Sequence, residues 1–151
     1  MKRVFLDTNI LLDFGLGREH ADEAEMILAL GLKEVIEVCA SYLSYANMGF
    51  ILRHHPKEEI YDLIRLMRED IMVLPTDSIQ LDKGLELYAD DFEDALQYAC
   101  AKAADCDVII TNNGKDFTEF CDLPVMTAAE FGEHLEWTSR GFKYYGKLVN
   151  L

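Results

Sequence analysis

Short continuous runs of apolar residues occur at five places along the chain. Runs of this length are typical of strands that are buried on both faces, as in parallel sheets. We therefore predict strands over 4–6, 35–40, 71–74, 108–111 and 124–127.

Between the predicted strands, apolar residues recur every three or four positions, which indicates amphipathic helices. The clearest segment begins at Phe92, where apolar residues fall at i, i+3, i+4, i+7, i+8 and i+11. Further helices are predicted over 19–32, after Ser41, over 60–67, from Asp77 or Ser78 to about Tyr88, and over 128–136. The helix after Ser41 carries an apolar stripe of the kind that faces a core, formed by Leu43, Ala46, Phe50 and Ile51.

Strands and helices alternate along the chain, which indicates an α/β fold with a parallel sheet covered by helices on both faces. The 151 residues, half of them hydrophobic, suffice for one domain with one core. We place this domain at 1–136 and treat 137–151 as a C-terminal tail. The tail is aromatic and basic, and it either docks on a partner or on the domain itself, or is a frayed end.

Membrane and secreted classes fit the sequence poorly. No apolar run approaches the roughly 18 residues that a membrane-spanning helix needs, and Asp7 interrupts the first apolar run too early for a signal peptide. The four cysteines form no C-x-x-C pair, and we expect Cys39 and Cys100 to be buried free thiols. These features predict a cytoplasmic protein without membrane partners.

The chain is strongly acidic, with 28 acidic against 14 basic residues and a net charge of −14. Such a surface does not attract nucleic acid over long distances. A nuclease of this composition needs a local basic patch or a divalent metal that bridges its acids to phosphate; otherwise the acidic surface serves a basic protein partner. A solvated helical face explains the one concentrated basic stretch better than a binding site does; the stretch comprises Arg53, His54, His55, Lys57, Arg65 and Arg68.

Three acidic residues fall where an α/β sheet binds its ligands, beyond the carboxyl ends of strands. Asp7 closes the first predicted strand, Asp116 follows the fourth, and Asp94 lies in the first turn of the helix before the fourth. Carboxylates that meet there make a site for Mg²⁺, which can activate water and neutralise charge on a phosphodiester. Each also has a structural explanation, because Asp7 and Asp116 suit turns and Asp91, like Asp94, suits a helix start.

The segments around these acids resemble the PIN-domain family at four places in the same order. They read VFLDTNILLD at 4–13, DFEDALQYA at 91–99, VIITNNGKDF at 108–117 and LPVMTAAEF at 123–131. The resemblance spans about residues 3–135 and is closest to the bacterial subgroup of toxins from toxin–antitoxin pairs.

The resemblance implies a three-layer α/β/α sandwich with a central, mainly parallel five-stranded sheet. It also implies cleavage of single-stranded RNA with Mg²⁺ or Mn²⁺. Family roles as catalytic metal ligands fall on Asp7, on Asp94, and on Asp116 or a position nearer Asn113. Thr111 matches the family's hydroxyl after the fourth strand, and Asn9 matches the polar residue that orients the first acid.

One position departs from the family pattern. Many PIN nucleases carry a glutamate in the helix after the second strand, where this sequence has Asn47. An amide oxygen can ligate a metal but brings no charge, so we expect weak metal binding or low activity. The rival interpretation is an inactive PIN domain that binds proteins, with an arginine of an antitoxin in its acidic groove.

Two other enzyme classes fit less well. A haloacid-dehalogenase-type phosphatase also has an early Asp, but it requires a second acid two residues later, where this chain has Asn9. A Ser-His-Asp or Cys-His hydrolase is disfavoured because the four histidines stand in polar contexts typical of a surface.

We also expect self-association as a two-fold dimer. Homodimers are common among soluble proteins, and Phe142, Tyr144 and Tyr145 in the tail are apolar enough to pack on a neighbour. The net charge argues against it, because like-charged surfaces repel.

Overall fold

Parallel strands and helices alternate in the computed structural model, which describes residues 1–138 of the chain. The strands are β1 (Lys2–Leu6), β2 (Ile36–Ser41), β3 (Met72–Leu74), β4 (Val108–Ile110) and β5 (Val125–Met126). The helices are α1 (Thr8–Leu16), α2 (Ala21–Leu32), α3 (Tyr42–Ile51), α4 (Lys57–Asp70), α5 (Ser78–Leu87), α6 (Phe92–Ala103) and α7 (Ala128–Thr138). A 3₁₀ turn at Gly114–Phe117 follows β4.

The five strands form one parallel sheet in the order β3-β2-β1-β4-β5. The chain moves outward from β1 through β2 to β3, and then returns to the other side of β1 for β4 and β5. The order therefore reverses between β1 and β4. Ligands of open α/β sheets bind outside the carboxyl ends of strands at such a reversal, and here that place lies directly after Leu6 and Ile110.

Helices cover both faces of the sheet, as the buried side chains show. Along β1, Val4 and Leu6 belong to one hydrophobic cluster and Phe5 to the other, since side chains alternate between the faces of a strand. The first cluster includes residues of α1, α2, α3, α4 and α7, and the second includes residues of α6. This arrangement confirms the predicted three-layer α/β/α sandwich with a five-stranded parallel sheet.

Helix α1 was not predicted. Its residues Ile10, Leu11 and Leu12 are all buried, so the segment reads as a continuous apolar run without the spacing of an amphipathic helix. Asp7 caps its first turn by accepting a hydrogen bond from the Thr8 N–H, and Gly17 ends it in the left-handed conformation, at φ 60°. Asp7 before the helix and Gly17 after it are therefore signals for its start and end, although the apolar pattern does not identify the helix.

The predicted core stripe of α3 was wrong. Ala46 is exposed, and the side chains of Phe50 and Ile51 leave 65% and 49% of their surface accessible. The buried face of the helix carries Ser44 and Met48 instead. Ser44 is buried because its hydroxyl hydrogen-bonds to the buried side chains of Thr8 and Gln97. With Ser44 on the inner face, the apolar stripe of α3 points outward.

Helix α7 continues to Thr138, two residues past the predicted domain boundary at 136. The division into 1–136 and a tail over 137–151 stays a prediction, because residues 139–151 lie outside the described residues, as do the tail side chains proposed to support a dimer. Cys39 and Cys100 are buried and free, as expected. In residues 1–138, no helix is long and apolar enough to cross a membrane.

Candidate active site

Asp7 lies at the point where the strand order reverses. Its N–H donates to the Ile110 carbonyl at 3.0 Å, which extends the pairing of β1 with β4 by one residue. One carboxylate oxygen accepts from the Thr8 N–H at 2.8 Å, and the other accepts from Thr111 Oγ1 at 2.8 Å and from Asn9 Nδ2 at 3.2 Å. The carboxylate is 5% exposed and held in one orientation.

The two polar residues predicted to support Asp7 connect it to the loop after β4. Thr111 is fully buried behind Asp7, and Asn9 Nδ2 also donates to Thr111 Oγ1 at 3.2 Å. Asn9 Oδ1 accepts from the Asn112 N–H, while Thr111 Oγ1 accepts from the Asn113 N–H. Hydrogen bonds therefore connect the start of α1 to the loop that carries Asn113, next to Asp7.

Asp94 lies in the first turn of α6 and is also buried, with 9% of its surface exposed. Asp91 caps that helix by accepting from the Asp94 N–H at 3.0 Å, which is the structural role expected of it. Burial and, after it, the charges of Asp7, Asp91, Asp116 and Glu93 in that order of importance together raise the pKa of Asp94 to about 7. A cation in this place would stabilise the ionised form.

The pKa of Asp7 is raised as well. Burial is the main cause, and the hydrogen bonds from Thr111 and from the Thr8 N–H oppose it. Two carboxyls with raised pKa values beside one another are typical of a functional site, because a fold gains no stability from burying like charges together.

A cavity of about 390 Å³ opens at this edge of the sheet and brings together all the predicted site residues except the buried Thr111. Its lining consists of Asp7, Thr8, Asn9, Leu12, Arg18, Asn47, Phe50, Ile51, Asp91, Glu93, Asp94, Asn113 and Asp116. Asp116 in the 3₁₀ turn and Asn113 just before it are both exposed and both line the cavity. The choice between these two as the last ligand therefore stays open.

The donor set suits a hard divalent cation, because the polar lining offers mainly carboxylate and amide oxygens. Within residues 1–138, no group of three or more His, Cys, Asp or Glu side chains is arranged to hold a metal ion directly. Mg²⁺ retains several of its waters in proteins and often binds through only one or two carboxylates. The residues fit such a partly hydrated ion, with Asp7 and Asp94 as the buried carboxylates.

Glu93 is a cavity residue that the sequence did not single out. Asn47 Nδ2 donates to Glu93 Oε1 at 2.9 Å, and burial together with the charges of Asp7 and Asp91 raises the pKa of Glu93. The neutral residue at position 47 thus has a carboxylate beside it, supplied by α6 instead of α3. The sequence signal is the position of Glu93 next to Asp94 in the first turn of α6.

A buried glutamine ties together the helices that carry the site. Gln97, one turn after Asp94, donates from Nε2 to Ser44 Oγ at 2.8 Å and to Thr8 Oγ1 at 3.3 Å. Its Oε1 accepts from Ser41 Oγ, and its side chain is fully buried. Gln97 therefore connects α6 to the first residue of α1 and to both ends of the turn that starts α3.

Comparisons with known proteins agree with this architecture. A family model described as PIN domain matches residues 3–115. Ribonuclease VapC1 of Aquifex aeolicus (strain VF5) is 24% identical over 138 residues, which cover 87% of this chain and 94% of that protein. The structure of VapBC2 from Rickettsia felis bound to a promoter DNA fragment matches with a TM-score of 0.68 at 19% identity, over 82% of this chain and 96% of that one. A toxin–antitoxin complex from Klebsiella pneumoniae matches with a TM-score of 0.61 at 23% identity, over 83% and 97%.

Proposed function

The chain belongs to the PIN-domain family, and we propose that it is an endoribonuclease that cleaves single-stranded RNA with Mg²⁺ or Mn²⁺. The observation that carries the proposal is the pair of buried acids, Asp7 and Asp94, in one cavity at the reversal of the strand order. Like charges placed so close need a cation to ionise together, and a phosphodiester bound there needs the same cation.

The side chains have separate tasks in this proposal. Asp7 and Asp94 hold the metal, which when bound supplies positive charge to the phosphate and acidifies a water. Thr111, Asn9 and the Thr8 N–H fix both oxygens of Asp7, so this ligand does not need to reorient on binding. Asp116 or Asn113 completes the donors from the loop after β4, and Glu93 adds charge beside Asn47.

The choice of RNA rests on similarity and on charge. The relative from Aquifex aeolicus is named a ribonuclease. A net charge of −14 gives no long-range attraction to RNA, so we assign RNA binding to contacts inside the cavity. A metal that bridges the acids to a phosphate provides such a contact.

We further propose that the chain is the toxin of a toxin–antitoxin pair and binds an antitoxin. Two matching structures are VapBC assemblies, and another is named a toxin–antitoxin complex. An acidic cavity that lacks its metal is also a site for an arginine, whose guanidinium binds carboxylates through two parallel hydrogen bonds.

The second candidate function is a PIN domain that binds proteins without cleaving RNA. Asn47 favours it, because this position lacks the charge that many family members carry there, and so does the absence of a three-acid metal cluster within residues 1–138. Cleavage that depends on metal separates the two candidates.

The test uses two labelled RNAs of equal length, one unstructured and one held in a duplex, incubated with the protein and Mn²⁺. We expect internal cuts in the unstructured RNA alone, with no cyclic phosphate at the new ends, since water and not the neighbouring ribose hydroxyl attacks phosphorus. Cyclic phosphate products would contradict the proposed chemistry. Absence of cleavage would leave the binding module as the function of the cavity.

A further inference from the structure

One positively charged side chain is part of the lining of the acidic cavity. Of the described residues that line it, Arg18 alone carries a basic side chain. The basic stretch over residues 53–68 contributes no side chain to this lining, although it is the most concentrated group of positive charges in the sequence. Arg18 follows the glycine that ends α1, so its place depends on how that helix stops.

Backbone geometry turns Arg18 back against α1. Gly17 takes a φ of 60°, and the Arg18 N–H donates to the Asp13 carbonyl at 3.1 Å. The left-handed residue reverses the chain within one turn, which is the usual role of glycine at this helix position. The Arg18 side chain thereby reaches back to the Asn9 carbonyl in the first turn of α1.

A buried carboxylate then fixes the guanidinium. Asp13 is 3% exposed, and its Oδ1 accepts from Arg18 Nε at 2.9 Å. Its Oδ2 accepts from Asn112 Nδ2 at 2.6 Å, and Arg18 Nη2 donates to the Asn9 carbonyl at 3.2 Å. Asp13 does not line the cavity, whereas Arg18 does, so the pair presents its positive end to the cavity.

Arg18 keeps hydrogen-bond donors beyond those that it uses on Asp13 and Asn9. A guanidinium has five N–H donors, and two of Arg18's hydrogen-bond to Asp13 and Asn9. The side chain remains 43% exposed while its partner is buried. The free edge of a planar, fixed guanidinium matches two oxygens of a phosphate, and its position costs little further entropy on binding.

We propose that Arg18 binds a phosphate of the RNA backbone next to the one that is cleaved, with Asp13 as its positioning residue. The inference rests on the proposed function, because it assigns the substrate contact of the same cavity. An acidic protein would hold an anionic strand through this guanidinium, which lines the same cavity as Asp7 and Asp94. Asn9 links the two, since its side chain contacts Asp7 and its carbonyl contacts Arg18.

The experiment measures binding of a short fluorescent single-stranded RNA in Mg²⁺ over a series of salt concentrations. All proteins keep Asp7 and the proposed metal site, and the RNA is checked on a gel for intact length after each titration. Arg18→Gln should weaken binding roughly tenfold and make the slope of log affinity against log salt shallower by about 0.7, the value for one phosphate contact on a single strand. Arg65→Gln is the matched control, since it removes the same charge from exposed α4 and should change neither quantity.

Arg18→Lys keeps the ion pair with Asp13 and provides the second variant if Arg18→Gln does not fold. We expect it to preserve the salt slope but to bind several-fold more weakly, because an ammonium cannot contact Asp13 and two phosphate oxygens in the geometry of a guanidinium.

Unchanged affinity in the folded Arg18 variants would overturn the inference, as would an equal loss in Arg65→Gln. If the unsubstituted protein cleaves RNA with metal while these variants bind normally, only the inference fails. If the unsubstituted protein neither binds nor cleaves RNA, the proposed function fails with it.

Discussion

At the scale of single residues, the cavity combines carboxyls that disfavour one another's ionisation. Asp94 shows this most, because burial and four neighbouring acids raise its pKa to about 7. A carboxyl whose folded pKa exceeds the unfolded value of roughly 3.9 binds more protons in the folded state. Its contribution to stability is therefore complete at low pH and is lost as the pH rises towards 7.

Asp94→Asn should remove this pH dependence. In metal-free buffer, the free energy of unfolding of the wild type should fall relative to the variant between about pH 4 and pH 7, by an amount on the order of a few kcal/mol. Urea unfolding at several pH values measures it, and Mn²⁺ should restore the wild type at high pH. A difference between the two proteins that does not vary with pH would show that Asp94 ionises normally.

Asn47→Glu should reverse its effect on stability when metal is added. Without metal, the new carboxylate loses the hydrogen bond to Glu93 and repels it, so the melting temperature should fall by roughly 2–4 °C. With Mn²⁺, the added charge should strengthen metal binding and raise the melting temperature above that of the wild type.

The matched control for position 47 is Asn47→Gln, which lengthens the side chain without adding charge. It should shift the melting temperature by similar amounts with EDTA and with Mn²⁺. If Asn47→Glu also shifts it equally in both buffers, Asn47 does not belong to the metal site.

The sequence located some of these residues and missed others for physical reasons. Asp7 and Asp94 could be placed because each stands at a recognisable boundary, a strand end and the start of a strongly periodic helix. Arg18 could not be placed, because its position depends on a left-handed Gly17 at the end of a helix that was itself missed. Glu93 needed the contact with Asn47, which joins residues 46 positions apart.

At the scale of elements, the site depends on how α6, α1 and α3 are held together. Gln97 makes this connection through hydroxyl groups of Thr8, Ser41 and Ser44. All of these side chains are buried, and a buried hydroxyl that loses its partner costs roughly 1–3 kcal/mol.

Gln97→Leu should therefore destabilise the protein by about 1–3 kcal/mol, since the buried Ser41 hydroxyl loses its acceptor and the Thr8 and Ser44 hydroxyls keep only each other. A double-mutant cycle with Ser44→Ala measures the contact itself, and we expect the two changes to be coupled by about 1 kcal/mol. Additive effects in chemical unfolding would mean that the Gln97–Ser44 hydrogen bond does not contribute to stability.

Helix α1 was missed and the core stripe of α3 was wrong, because apolar spacing identifies the buried face only when a helix buries one apolar face. Residues 10–12 are buried together in α1, which removes the spacing that would identify a helix. In α3, Phe50 and Ile51 have the spacing of a core stripe but line the cavity and remain exposed. Polar Ser44 takes the inner face, and nothing in the local pattern indicates that a distant glutamine would satisfy it.

At the scale of the whole molecule, alternation of strands and helices predicted the parallel sheet but not the strand order. The order β3-β2-β1-β4-β5 depends on which strands meet across distant sequence, and it is what places Asp7 beside the loop after β4. The distribution of charge is also a property of the folded chain. In a chain with a net charge of −14, the described lining of the cavity has five acidic side chains and one basic side chain, that of Arg18.

The most direct test of the account is the rate of RNA cleavage as a function of Mn²⁺ concentration, for the wild type, Asp7→Asn and Asp94→Asn. The rate for the wild type should rise with Mn²⁺ to a plateau and vanish with EDTA. Each variant should be slower by roughly 100-fold or more, because each removes one of the two carboxylates that we propose as metal ligands. Cleavage that persists in EDTA and in both variants would contradict the account.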